Sequence, residues 1–240
     1  PSIDVQYFDK NNANLTDSRI NCIAEDQQGN LLLGANNGSV LIFDGKKVTG
    51  SYETGQFKNI EALHFDSATG LLSVGLLNTY FFKHPSKNTL KAMPDNAKDY
   101  FKDPYGNLFI AGSVRLIVVN TAEGIGDKPP LPENWHQHFD IWEMEETSLQ
   151  ITYMPMRYKR CRAVWVDTHR DNYRVWVAFS DGLFYYENAK EYQFMIDGQP
   201  VIGLDITQSP DGVIWVGTID ERLIGIDPVS YTHLRAHETR

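Results

Sequence analysis

The sequence predicts an all-β protein of short antiparallel strands, and three observations support this. Apolar segments rich in Val, Ile, Trp, Tyr and Phe alternate with Asp-Gly and Gly-Asn turns, a pattern typical of β-hairpins. No segment of useful length has the period of an amphipathic helix. A strand–turn–strand unit also recurs about five times along the 240 residues.

The recurring unit begins with an apolar strand, passes through a turn containing Asp or Gly, and ends a second apolar strand with a small residue. Its first copy runs from Ile20 to Gly34 and reads INCIAEDQQGNLLLG. The small closing residues stand at 34, 75, 111, 178 and 217, at intervals of 41, 36, 67 and 39 residues. The repeats therefore start near residues 18, 58, 97, 161 and 201.

Two further strands complete each unit. A third strand follows each closing residue, at 39–43, 79–82, 114–119, 182–186 and 222–226, and a less regular fourth strand precedes the next copy, as at 47–53. About four strands in about 40 residues indicate the blades of a β-propeller. We therefore expect residues 1–227 to form part of a propeller, with Val5–Phe8 as a candidate last strand of an earlier blade.

The small and turn residues of the unit have structural explanations. Gly or Ala at the end of the second strand lets neighbouring backbones approach closely. In the turn between the first two strands, the Asp side chain caps the turn, and Gly supplies the positive φ that the turn needs. We expect these positions to maintain the fold and not to catalyse a reaction.

The interval of 67 residues is too long by about 27, which predicts an insertion over residues 121–147. We place it between the third and fourth strands of the third blade, with the fourth strand at 148–154. His136 and His138 in this insertion have a spacing that could seat a metal on a strand. We expect an exposed loop there instead, and we predict no metal site.

Composition excludes several classes of function. The formal net charge is −9, from 22 basic and 31 acidic residues, which argues against nucleic-acid binding. No apolar run approaches the roughly 20 residues of a membrane span, and no signal peptide is visible. Cys22 and Cys161 are far apart, so neither a disulfide framework nor a metal-binding cysteine pair is expected. No cofactor motif is found.

The last residues, 228–240, do not continue the repeat. Residues 229–239 resemble the conceptual translation of a transposase-type sequencing adapter, with eleven consecutive matches. We therefore expect a non-native tail here and a natural protein that continues beyond Asp227, as a metagenomic fragment would.

Two stretches carry a resemblance to a known family. Residues 21–38 with Phe43-Asp-Gly45, and Ser209-Pro-Asp-Gly212 with residues 213–218, resemble the two-component-regulator propeller repeat. The aromatic position of this repeat holds Trp only at 176 and 215, and Gly-Thr occurs only at 217–218.

This resemblance implies a fragment of a seven-bladed propeller from an extracytoplasmic, periplasmic sensor of hybrid two-component systems in Bacteroidetes. It also implies an oligosaccharide ligand and an adjacent propeller or dimer partner. The full-length protein would carry a kinase and would contact the membrane only through segments outside this chain. We expect no catalysis by the chain itself. The alternatives are an extracytoplasmic scaffold for protein interaction and, less favoured, a propeller lyase or glycosidase.

Propeller topology suggests where a ligand could bind. Loops that join second to third strands, and fourth strands to the next blade, gather on one face. The only basic cluster of the chain falls in such a loop, and Arg side chains suit carboxylates or sulfates of an acidic sugar. The candidate ligand-binding residues on this face are Arg157, Tyr158, Lys159, Arg160, Asn37, Asn78, Asp181 and Asp220.

Overall fold

The computed structural model describes residues 4–16, 19–83, 85, 92–93, 95–121, 140–144, 149–153, 159–169, 173–187 and 190–227. None of these residues lies in an α-helix, which confirms the prediction of an all-β protein. No helix of the length and apolarity needed to cross a membrane occurs in the described ranges. The chain divides into two compact units, residues 1–97 with 145–149, and residues 98–144 with 150–240.

The first unit contains two four-stranded sheets, each hydrogen-bonded in chain order. The neighbouring strands of both are antiparallel, as predicted for propeller blades. The first sheet comprises β1 (Ile20–Glu25), β2 (Leu31–Ala35), β3 (Ser39–Phe43) and β4 (Val48–Glu53). The second comprises β5 (Ala62–Asp66), β6 (Leu71–Gly75), β7 (Thr79–Phe82) and β8 (Ala92–Met93).

The second unit contains the other three sheets. The third sheet has β9 (Ala97–Lys102), β10 (Asn107–Gly112), β11 (Leu116–Thr121), β12 (Asp140–Met144) and β13 (Leu149–Tyr153). The fourth has β14 (Cys161–Asp167), β15 (Arg174–Phe179), β16 (Gly182–Glu187), β17 (Lys190–Ile196) and β18 (Gln199–Pro200). The fifth has β19 (Gly203–Gln208), β20 (Ile214–Thr218) and β21 (Leu223–Ile226).

The third sheet differs from the prediction for residues 121–147. Part of that insertion forms β12, which pairs with β11 in parallel, from Ile117 opposite Asp140 to Thr121 opposite Met144. The strand predicted as the fourth, now β13, is therefore the fifth strand and lies beside β12. A parallel pair requires a connection of a dozen or more residues, and residues 122–139 supply that length.

The N-terminal segment also differs from the prediction. Residues 4–9, which include the candidate strand Val5–Phe8, form no strand. Instead, the Phe8 ring packs edge-on against Phe43 with 4.9 Å between centroids. The carbonyl of Ala13 accepts a hydrogen bond from the Val48 amide at 2.8 Å. The segment thus lies against the first sheet without extending it.

The turns between the first two strands have the predicted chemistry. The Asp26 carboxylate accepts hydrogen bonds from the amides of Gln28 and Asn30 at 2.8 and 2.9 Å. Gly29 has a φ of +81°, a conformation that glycine adopts without steric cost. The Asp turn is thus satisfied by its own neighbours, as the sequence predicted.

Close packing explains the small residue near the end of β2, Gly34. A Cβ atom on Gly34 would lie 2.5 Å from Cys22 Sγ and 2.9 Å from the Ile60 side chain. Neither distance leaves room for a carbon atom. Cys22 is half-buried, and burial raises the pKa of its thiol to about 11.

Candidate functional site

Two of the predicted site residues meet in the second unit. Lys159 Nζ lies 2.8 Å from Asp181 Oδ2 and 4.3 Å from the centroid of the Phe184 ring. The Arg160 carbonyl accepts a hydrogen bond from the Ser180 amide at 2.9 Å. The side chain of Lys159 is only 15% exposed. Its ammonium group therefore holds two loops together instead of projecting to an open surface.

Asp220, another predicted residue, takes part in a local network. Its carboxylate lies 2.6 Å from Arg222 Nη2 and accepts a hydrogen bond from the Thr218 hydroxyl. Hydrogen bonds from Arg222 and Thr218 keep the pKa of Asp220 below its usual range. The charge of this carboxylate is thus already paired within its own turn.

The predicted residues of the first unit belong to tight turns. Asn37 Oδ1 accepts a hydrogen bond from the Ser39 amide at 3.1 Å, and the Asn78 carbonyl accepts one from the Leu76 amide at 3.0 Å. Arg157 and Tyr158 lie outside the described residues, as do His136 and His138 and the tail 228–240. Ligand binding by Asn37, Asn78, Arg157 and Tyr158 therefore remains a prediction.

A cleft lies at the opposite end of the strands, between the first and second sheets. It has a volume of about 290 Å³. The turns β1–β2 and β5–β6 line it, together with two residues that follow β7 and with residues of β3, β4 and β5. Its lining residues are Asp26, Gln27, Gln28, Asn30, Ile42, Tyr52, Phe65, Gly70, Lys83 and Pro85.

Tyr52 of β4 joins this cleft to the core of the first unit. Its ring packs edge-on against Phe82, with centroids 5.5 Å apart, and the residue is 7% exposed. Burial, followed by the charge of Asp26, raises the pKa of the Tyr52 hydroxyl. A tyrosine hydroxyl is protonated at neutral pH and can donate a hydrogen bond.

The Asp26 carboxylate is held rigidly on the same side of the cleft. Besides the two turn amides, its Oδ2 atom accepts a hydrogen bond from Asn30 Nδ2 at 2.9 Å. Three donors from its own turn thus surround the carboxylate. The cleft combines apolar side chains, amide groups and one lysine, which suits the binding of a small polar ring more than chemistry on it.

A half-buried carboxyl group lies elsewhere, on the first strand of the third sheet. Asp99 Oδ2 accepts a hydrogen bond from the Val164 amide of β14 at 3.1 Å. Burial raises the pKa of Asp99 to about 6, and the charge of Asp205 adds to this effect. Across the described ranges, no group of three or more His, Cys, Asp or Glu residues could hold a metal ion.

Sequence reasoning missed the cleft because it looked at the other end of the strands. The sequence offers only a weak signal: the residue five positions before the small closing residue is glycine in four repeats, including Gly70, and tyrosine only at Tyr173. A glycine leaves the junction to be filled by other side chains, and Gly212 shows that they can fill it. Only the structure shows that this position faces the preceding turn.

Comparison with models of known protein families identifies the type of the first repeat. Residues 14–37 match the family model described as two component regulator propeller, which confirms the predicted resemblance for the first repeat. A search of curated proteins gives no match.

Solved structures show the fold. The β-propeller domain of Cps50 (Swd1) from Myceliophteria thermophila has a TM-score of 0.57 at 12% identity, over 88% of this chain and 65% of that one. The WD40 β-propeller domain of Doa1 has a TM-score of 0.53 at 7% identity, over 84% and 62%. The predicted β-propeller fold is therefore confirmed.

A further similar structure is the extracellular domain of a protein described as a hybrid two component system from B. thetaiotaomicron. Its TM-score is 0.45 at 14% identity, over 89% of this chain and 32% of that one. The chain spans less than two thirds of each of these three structures.

Proposed function

We propose that this chain is an extracytoplasmic, ligand-sensing propeller module of a hybrid two-component signalling protein. It recognises an oligosaccharide and passes the signal to a downstream kinase. The observation that carries this proposal is the match of residues 14–37 to the two component regulator propeller. The same strand–turn–strand frame recurs in the four later sheets.

The chemistry of the described residues favours binding over turnover. The Asp residues of the strand turns accept hydrogen bonds from neighbouring amides, as at Asp26 and Asp103. The paired carboxylates Asp181 and Asp220 are engaged by Lys159 and Arg222. The cleft beside Tyr52 offers an aromatic ring and amide groups, which are suited to a saccharide.

The experiment that tests this function is to recover the complete gene with long reads that span the codon of Asp227. We expect further propeller repeats, then a membrane helix and kinase motifs. Reads that continue into no membrane segment and no kinase would overturn the signalling part of the proposal and favour a scaffold propeller.

A further inference from the structure

The three sheet junctions described within the two units differ in how the space beside the Asp turn is filled. Between the third and fourth sheets, Tyr173 donates a hydrogen bond to Asp103 Oδ2 at 2.5 Å. Its ring lies 5.8 Å from that of Tyr105, measured between centroids. Side chains of the protein therefore occupy this junction.

The junction between the fourth and fifth sheets is also occupied. Gln208 Nε2 donates a hydrogen bond to Asp167 Oδ1 at 2.8 Å. The His169 ring approaches Gly212 so closely that a Cβ atom there would lie 2.8 Å from it. Gly212 stands five residues before Gly217, as Tyr173 does before Ala178.

The equivalent junction of the first unit is open. Gly70 stands at the position of Tyr173, and a Cβ atom on it would meet nothing within 4 Å. Gln28 stands at the position of Tyr105 and His169, two residues after the turn Asp. The space that aromatic or imidazole rings fill in the second unit is therefore the cleft of about 290 Å³ in the first.

The size of the cleft limits what it can hold. Its volume of about 290 Å³ equals that of roughly ten water molecules, at about 30 Å³ each. One pyranose ring with its hydroxyl groups has a similar number of heavy atoms. A longer oligosaccharide would place one ring in the cleft and the others outside it.

The lining of the cleft indicates the chemistry of the ring. Ile42, Tyr52 and Phe65 contribute apolar surface, and Gln27 and Gln28 contribute exposed amides. Apolar walls with a few polar groups are typical of small-molecule sites. A pyranose has both kinds of surface, because its C–H groups are apolar and its hydroxyl groups donate and accept hydrogen bonds.

The charged residues of the cleft indicate which class of saccharide it binds. Among the lining residues that the structure describes, Lys83 is the one cation and Asp26 the one carboxylate. The carboxylate already accepts hydrogen bonds from Gln28 and Asn30, whereas the lysine is exposed at the rim. A ligand with its own carboxylate complements this arrangement.

We infer that the cleft between the first two sheets binds one uronic acid ring, packed against Tyr52 and Phe65, with its carboxylate at Lys83. This inference rests on the proposed function and names the place and the sugar class. It assigns binding to the end of the strands opposite to the loops that the sequence suggested.

The test is a titration of the full 240-residue chain with methyl β-D-glucuronide and, in parallel, methyl β-D-glucoside, followed by saturation-transfer difference NMR. We expect a dissociation constant on the order of 1 mM for the glucuronide, as for other ligands of this size. The glucoside should bind several-fold more weakly, because it lacks the carboxylate.

Two variants locate the site. Lys83→Gln should weaken glucuronide binding about fivefold or more and leave glucoside binding unchanged. Tyr52→Phe should weaken both ligands about fivefold, the effect of one lost hydrogen bond. Matched controls are Lys58→Gln, an exposed lysine of the same unit, and Tyr80→Phe, whose tyrosine is also 7% exposed. Both controls should bind like the unmodified chain.

Each other outcome contradicts the inference. Unchanged binding in Lys83→Gln and Tyr52→Phe would place the sugar elsewhere and leave the proposed function intact. Absence of glucuronide binding to the unmodified chain would overturn the cleft assignment. Binding of a different oligosaccharide in the same assay would then still support a sensor. If Tyr52→Phe unfolds, the exposed Lys83→Gln variant still decides the question.

Discussion

Trp176 and Trp215 occupy the same position in successive sheets, two residues before the small closing residue, yet Trp176 is fully buried and Trp215 is 36% exposed. Trp176 packs in a cluster with Val201 and Ile214 of the following segment. Within the described residues, no sheet follows the one that contains Trp215. The difference therefore lies in what covers the two rings and not in the residues themselves.

From this difference we predict self-association of the isolated chain through the Trp215 surface. Leu223 nearby is 70% exposed, and exposed apolar patches of this kind favour association. Trp215→Ser should shift the chain towards monomer in sedimentation velocity. Phe57→Ser, which removes a 90% exposed aromatic ring from the first unit, should have a smaller effect. A sedimentation profile that Trp215→Ser leaves unchanged would refute the prediction.

Two closing glycines should respond differently to a methyl group. Gly34→Ala should lower the free energy of unfolding by about 1–3 kcal/mol, because the new Cβ atom would overlap Cys22 and Ile60. Gly217→Ala should have little effect or a small stabilising one, since nothing lies within 4 Å of the new atom. Urea denaturation measures both changes.

A second substitution checks the cause of the Gly34 effect. Cys22→Ala removes the sulfur atom that lies nearest to the new methyl group. In a double-mutant cycle, the cost of Gly34→Ala should therefore be smaller in the Cys22→Ala background. Strict additivity of the two changes would show that the overlap with the sulfur is not the cause.

The hydrogen bond between Tyr173 and Asp103 should contribute measurably to stability. Asp103 is 3% exposed, and Tyr173→Phe removes a 2.5 Å hydrogen bond to its carboxylate. We expect a loss of about 1–3 kcal/mol, the usual range for bonds to charged groups. Tyr105→Phe, which keeps the ring contact with Tyr173, is the matched control. Equal effects of the two variants in thermal unfolding would contradict this explanation.

Asp99 should make the stability of the chain depend on pH. Its pKa is about 6 in the folded chain and about 3.9 in an unfolded one. Between these values the folded state binds more protons than the unfolded state, so stability falls as pH rises from about 4 to 6 and the penalty is complete above 6. The penalty at pH 7 is on the order of 2–3 kcal/mol.

Asp99→Asn tests this dependence, because the amide stays neutral and its oxygen can still accept the Val164 amide. The variant should be more stable than the unmodified chain at pH 7.5, with the difference shrinking towards pH 5. Urea denaturation at several pH values measures it. The reverse trend, a variant that loses stability mainly at high pH, would show that the ionised carboxylate stabilises the fold.

Much of the fold was predictable because its signals are local. The Asp26 carboxylate accepts hydrogen bonds from residues two and four positions further along the chain. All the hydrogen-bonding groups of this turn therefore lie within a segment of five residues. The third strands of the first and second sheets begin and end where the sequence placed them, at 39–43 and 79–82. Apolar runs between turns are enough to locate such strands.

The sites were harder to predict. Lys159 and Asp181 were expected on one face, and they do meet, but they pair with each other. A charge in a sequence does not reveal whether another loop of the same sheet will supply its counter-ion. The residues of the cleft, such as Tyr52 and Lys83, belong to separate strands and loops that no motif connects.

The sequence alone therefore determined the repeat, the strands and the turns, since these depend on interactions within a few residues of the chain. Tertiary structure alone decided that β12 adds in parallel, that Asp99 is half-buried against β14, and that a cleft opens at Gly70. The first two depend on segments that become neighbours 23 and 65 residues apart, as Ile117 and Asp140 do and as Asp99 and Val164 do. The same residue type can be covered or exposed there, as the two tryptophans are, because burial is set by the adjoining sheet.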